Sequence, residues 1–201
     1  TLFAGSTQAQ DAKAGQAKAA MCIGCHGIPG YQSSFPEVHR VPMISGQGSK
    51  YIASALTAYK KGDRKHPTMR AIAASLSEQD MADLAAFYEA SAPAVSLPAS
   101  PATPAPAVAE LLKKGNCTSC HGANFSKPLD PSYPKLAGQH PDYLYAALKA
   151  YQTKGNPQVG RANAIMGGMA APYSLAELKL LAGYLGSLPS ELAVVPQSRF
   201  R

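Results

Sequence analysis

Apolar side chains recur along this chain at helical spacing, and they do so in the same order twice. Residues 49–59 carry Ile52, Ala55, Leu56 and Tyr59 on one helical face. Met81, Leu84, Ala85 and Tyr88 make a second stripe, opened by Ser77 as N-cap with Asp80 as its capping-box partner. Residues 143–151, and then Leu178, Leu181, Ala182 and Leu185, repeat the pattern, and Ser174 and Glu177 open the last stripe. Ahead of the first stripe, residues 12–20 read as an Ala/Lys/Gln helix, whereas 27–42, rich in Gly, Pro and Ser, read as loop. No alternating strand pattern occurs. The predicted fold class is all-α.

The two halves match residue by residue. Pro42-Met43-Ile44-Ser45-Gly46-Gln47 runs beside Pro134-Lys135-Leu136-Ala137-Gly138-Gln139, and Tyr51, Leu56 and Tyr59 beside Tyr143, Leu148 and Tyr151. Lys61-Gly62 matches Lys154-Gly155, Arg64 matches Arg161, and the stretch from Met69 to Met81 matches that from Met166 to Leu178. An internal repeat of this kind means two modules of one fold. Between them, Pro93, Pro98, Pro101, Pro104 and Pro106 forbid a helix and favour an extended, fairly stiff spacer. The predicted division is a first domain over 1–90, a Pro/Ala-rich linker over 91–107 and a second domain over 108–201. Within residues 1–10, Leu2-Phe3-Ala4 and Thr7-Gln8-Ala9 read either as the tail of a signal peptide or as a disordered N-terminus.

Composition sharpens this picture. Hydrophobic residues make up 46% of the chain and charged ones 15%, and no apolar run approaches the roughly 20 residues of a membrane span. Ten Tyr, five Phe and no Trp are few for two cores in modules this small, so something besides side chains must fill them. The net charge of +7 is spread thinly, its runs no longer than pairs such as Lys60-Lys61 and Lys113-Lys114, which argues against nucleic acid.

The four cysteines supply the missing group. Cys22, Cys25 and His26 form one C-x-x-C-H sequence, and Cys117, Cys120 and His121 form another. This is the attachment sequence for c-type haem: two thiols one helical turn apart reach the two vinyl groups of a porphyrin, and the adjacent His faces the iron. A shared four-Cys zinc site or plain disulfides would leave both His, and the matched residues downstream, without a purpose. Two covalent haems c are therefore expected, and each macrocycle adds the apolar area that the aromatics lack.

The sixth ligand determines what such a haem does. Met69 follows His26 by 43 residues and Met166 follows His121 by 45, in matching places of the repeat. A thioether there closes the iron to small ligands and favours the ferrous state. Met169 is a rival to Met166. Met43 is discounted because its counterpart is Lys135, and Met21 and Met81 read as packing residues. His39, His66 and His140 do not repeat in register, which argues against bis-His ligation. Pro42 and Pro134 stand where a backbone carbonyl accepts Nδ1–H of the haem His. Gln47, Tyr51, Gln139 and Tyr143 are read either as contacts to a haem edge or propionate, or as helix-start packing.

Two C-x-x-C-H modules, each with Pro-x-[Ile/Leu]-x-Gly-Gln, Tyr, Lys-Gly and a late Met, resemble the cytochrome c4 family over about residues 11–89 and 108–190. The resemblance implies two tandem class I cytochrome c-like domains, His/Met iron, a bacterial periplasmic location with peripheral membrane association in many members, and electron carriage toward an acceptor such as a terminal oxidase. The Pro-rich linker is longer than the family's usual connection, which leaves domain docking open. Two other functions remain: the cytochrome subunit or dedicated acceptor of a dehydrogenase, for example one oxidising a sulfur compound, and a dihaem peroxidase. The paired Met argues against the peroxidase. No small-molecule substrate is expected. The second half is the more basic, with ten Lys and Arg against five acids from residue 108 onward, compared with nine against seven before it. This predicts redox protein partners with an acidic docking surface, met by Lys127 and Lys135.

Overall fold

The computed structural model describes residues 10–92, 94–98 and 100–196; the signal-like Leu2-Phe3-Ala4 and Thr7-Gln8-Ala9 lie outside them. The first module opens with α1 (Ala12–Lys18), capped by Asp11, whose carboxylate accepts from the Lys13 and Ala14 N–H groups. It continues through α2 (Ala20–His26), the hairpin strands β1 (Gln32–Ser33) and β2 (His39–Arg40), α3 (Ser49–Lys61), β3 (Arg64–Lys65), α4 (Pro67–Ala74) and α5 (Glu78–Ala90). The second module has α6 (Pro106–Lys114), α7 (Thr118–His121), α8 (Pro141–Gln152), β4 (Gly160–Arg161), α9 (Ala164–Ala170) and α10 (Leu175–Ser187). Both capping boxes form, Ser77 with Asp80 and Ser174 with Glu177.

The apolar stripes turn inward as their spacing requires. Ile52, Met81, Leu84, Ala85 and Tyr88 share one core with Ile23 of α2. Leu178, Leu181, Ala182 and Leu185 are buried in the second module against α6 and α8. In the first module α1 crosses α5 at Gly15, where a Cβ would lie 2.0 Å from the Asp83 carbonyl oxygen, so only glycine permits the approach.

Three details depart from the sequence reading. The described residues include four strands of two residues each, too short to show a period. Helix α6 begins at Pro106, inside the segment read as linker, because proline is well tolerated at the first helical position, where its missing N–H has no partner to lose. Met21, read as packing, is 49% exposed, whereas Met81 is buried and receives the Thr57 hydroxyl at its sulfur.

The longer linker does not loosen the modules. β3 pairs antiparallel with β4, so that Arg64 and Arg161, matched in the repeat, become cross-strand partners. Gln47 donates from Nε2 to the Lys135 carbonyl (3.0 Å) and accepts the Lys135 N–H (2.9 Å). Gln139 returns the same two bonds to Met43, donating at 2.8 Å and accepting at 3.0 Å. Arg40 pairs with Asp142, and Lys149 with Glu37. The segment after α10 turns back to the first module, where the Ala193 N–H reaches the Ser45 carbonyl.

Candidate functional site

Cys22, Cys25 and His26 lie on α2, and Cys120 and His121 on α7, with Cys117 as its N-cap. All four sulfurs are free. Among the described residues no three His, Cys, Asp or Glu side chains converge, so the two pairs do not build a shared zinc site.

Both motif histidines are held the same way. His26 Nδ1 is 2.8 Å from the Pro42 carbonyl oxygen, and His121 Nδ1 is 3.1 Å from that of Pro134. A carbonyl only accepts, so Nδ1 carries the hydrogen and Nε2 keeps its lone pair for a metal. Burial pushes both imidazoles toward the neutral form, against the opposing pull of the carbonyls. The charge of Arg64 adds to this at His26.

The methionines occupy matched positions that the sequence placed only as preceding the final helix. Each is the third residue of a short helix, Met69 in α4 and Met166 in α9. Each is also bonded to its cap: His66 Nδ1 accepts the Met69 N–H (3.4 Å) and Asn163 Oδ1 accepts the Met166 N–H (2.9 Å). His66-Pro67 and Asn163 are the local signals for these two helices. Met169 lies one turn further on and is 46% exposed, so Met166 is the structural counterpart of Met69. Met43 is held through its backbone by Gln139, at the interface.

The residues read as haem-edge contacts divide. Gln47 and Gln139, each 4% exposed, direct their carboxamides to the other module's backbone. Tyr51 and Tyr143 instead join Arg64 and Arg161 at the junction. Arg64 donates to Tyr51 Oη (3.2 Å) and to Tyr143 Oη (2.6 Å), and Arg161 also donates to Tyr143 Oη (3.1 Å). Arg64 stacks on Tyr59 and Arg161 on Tyr151. Burial alone would raise the Tyr143 phenol, but the two guanidiniums outweigh it and bring it down to about 8.

Among the described residues neither guanidinium has a carboxylate partner, and Arg64 Nε is buried with no hydrogen-bond partner. Two guanidiniums without carboxylate partners, one of them close enough to His26 to act on its charge, suit a group that carries carboxylates. A haem, with two propionates, fits this donor set as well as it fits the four cysteines.

Two haem-binding modules docked face to face define a dihaem c-type cytochrome, and the comparisons agree. The Cytochrome c family matches twice, over residues 12–90 and 106–189. The chain belongs to the cytochrome c4 family: it is 32% identical to cytochrome c4 of Azotobacter vinelandii over 197 residues, covering 90% of each chain. The crystal structure of reduced recombinant cytochrome c4 from Pseudomonas stutzeri superposes with a TM-score of 0.67 at 31% identity, over 90% of this chain and all of that one. A thiosulfate dehydrogenase electron acceptor of Stutzerimonas stutzeri is 30% identical over 179 residues, covering 83% of this chain and 78% of that protein. The chain is thus an electron-transfer cytochrome with two haems c.

Proposed function

We propose that this protein is a periplasmic carrier that takes single electrons from one redox protein and passes them to another, such as a terminal oxidase. The domains are proposed as 1–90 and 108–201, joined by 91–107, with the first two residues of α6 falling at the end of the linker. Cys22 and Cys25 hold one haem and Cys117 and Cys120 the other. His26 with Met69, and His121 with Met166, would hold the two irons. When bound, the haems supply one-electron chemistry at iron, and the chain's own residues do the rest. Pro42 and Pro134 fix the tautomer and orientation of the histidines. Met69 and Met166 would supply the second ligand of each iron. Arg64 and Arg161 would offset the charge of the propionates, and Tyr51 and Tyr143 hold the two guanidiniums in place.

The observation that carries this reading is the interlock between modules. It bonds the residue next to each histidine-orienting carbonyl, Met43 or Lys135, to the other module, which supports a reading of two redox sites held together. No residue is assigned to catalysis. Among the described residues no helix is long and apolar enough to cross a membrane, and any membrane association is proposed as peripheral.

A second reading has its own support. The likeness to the thiosulfate dehydrogenase electron acceptor favours a carrier dedicated to one sulfur-compound dehydrogenase. Purification from native extract separates the two, since a dedicated acceptor comes with its dehydrogenase and a general shuttle does not.

Ligation is tested by spectroscopy. Met69→Ala and Met166→Ala should each remove half of the thioether–ferric charge-transfer band and lower one midpoint potential. Met169→Ala should leave both in place. Fast, stoichiometric carbon monoxide binding to one haem of the reduced wild type would contradict the carrier reading and favour an enzyme.

A further inference from the structure

A tyrosine lies near the first cysteine of each motif, but from different positions of the repeat. The Gly46 N–H donates to the Tyr88 carbonyl and the Gly138 N–H to the Leu185 carbonyl, both at 2.8 Å. Tyr88 and Leu185 are therefore equivalent positions on α5 and α10. Tyr88 is 5% exposed and packs in the same core as Cys22. Its hydroxyl is buried with no hydrogen-bond partner, although Cys22 packs against the same core.

The second module solves the same place differently. Leu185 offers no hydroxyl. The phenol near Cys117 belongs to Tyr173, and its hydrogen is committed to the Leu111 carbonyl at 2.8 Å. Both Tyr173 Oη and Cys117 Sγ lie within 3.1 Å of where a Cβ on Gly115 would stand, so the phenol is close to the sulfur yet already spent.

A buried hydroxyl seldom goes without a partner, and a thioether sulfur accepts weakly. We propose that Tyr88 is a redox-tuning residue of the first module. Once the haem is attached, its O–H would donate to the sulfur of Cys22 and so gain the partner it lacks here, and this rests on the attachment proposed above. The donor draws electron density from the edge of the macrocycle, and its dipole presents a positive end to that edge. Both effects favour the reduced state, so the bond raises the first haem's potential. The second haem has no equivalent, and the contact therefore helps set the two potentials apart.

Tyr88→Phe removes one oxygen and keeps the ring. The test is a reductive titration of wild type, Tyr88→Phe and Tyr173→Phe, following each haem through its assigned ferric haem-methyl NMR resonances. Tyr88→Phe should lower the first haem's potential by about threefold in its one-electron equilibrium constant, about 30 mV at 59 mV per tenfold. The second haem, the charge-transfer band and the thermal midpoint should stay in place, which a merely structural loss would not allow. Tyr173→Phe should move its own haem less. An unmoved first haem, an equal shift of both haems, or an equal effect from Tyr173→Phe overturns the proposal. Mass spectrometry of the peptide holding Cys22 and Cys25 checks the attachment separately: bare thiols there would sink the attachment itself, a different failure from an unmoved potential.

Discussion

Replacing Gln139 by Leu keeps the bulk of the side chain and removes the carboxamide that bonds both peptide groups of Met43 in the other module. Each bond contributes about 1 kcal/mol net, so the pair contributes about 2 kcal/mol, and the stranded N–H and C=O carry the loss toward about 4 kcal/mol. Gln47→Leu does the same at Lys135. The two amides share no partner, so the losses should add in the double variant. For a chain of this size unfolding as one unit, each kcal/mol moves Tm by about 2–4 °C, so one substitution should lower it by about 4–16 °C. The double variant gives up about 4–8 kcal/mol, as much as many domains possess in total. Its modules should then melt apart. Calorimetry of the ferric protein should show one heat peak for wild type and two for the double variant. A crossed effect should accompany this: Gln139→Leu, in the second module, should move the first haem's potential, because Met43 follows the Pro42 carbonyl that orients His26. A double variant with one peak and a Tm within about 2 °C of wild type would refute the reasoning.

Three further outcomes are expected. Lys18 bridges Asp80 and Asp83 at 2.7 Å each, and this contact first of all holds both carboxyls below the usual range. Their stabilisation is complete above the unfolded pKa near 4 and is lost as pH falls through the lower folded values, so Tm should drop below about pH 4 and Lys18→Met should flatten that drop; an identical acid melting curve for the variant would count against it. Gly15→Ala drives a methyl into the Asp83 carbonyl and should cost about 1–3 kcal/mol by thermal melting, an unchanged Tm being the contrary result. Exposed Lys127→Glu should slow electron transfer to an acidic partner, with the wild-type rate falling as salt rises; a rate indifferent to salt would place the docking face elsewhere.

Lys135 does not belong with Lys127, and the reason shows where sequence reasoning runs out. Its ammonium is paired with Glu191 at 2.6 Å and its peptide is held by Gln47, so it serves the junction between modules and not an outside partner. Haem motifs, capping boxes and apolar stripes are legible because each is a local spacing. The methionines are legible only through the repeat, which sets two of them in register. A glutamine at a helix entrance reads the same whether it meets haem, solvent or another domain, and a two-residue strand carries no period at all. What the repeat did contain, unread, was the interface. A pairing close to twofold needs one surface that complements itself, and duplication of a module supplies that surface twice. Pro-x-[Ile/Leu]-x-Gly-Gln is such a surface. Its first carbonyl orients the histidine of its own module, its second residue receives the other module's glutamine, and its own glutamine returns the contact. Gly46 and Gly138, both at positive φ, make the turn that separates these tasks, and a Cβ at Gly46 would strike the Glu191 carbonyl at 2.3 Å. Six residues thus connect the orientation of each axial histidine to the docking of the modules, which is why substitution at the interface should be read out at the iron.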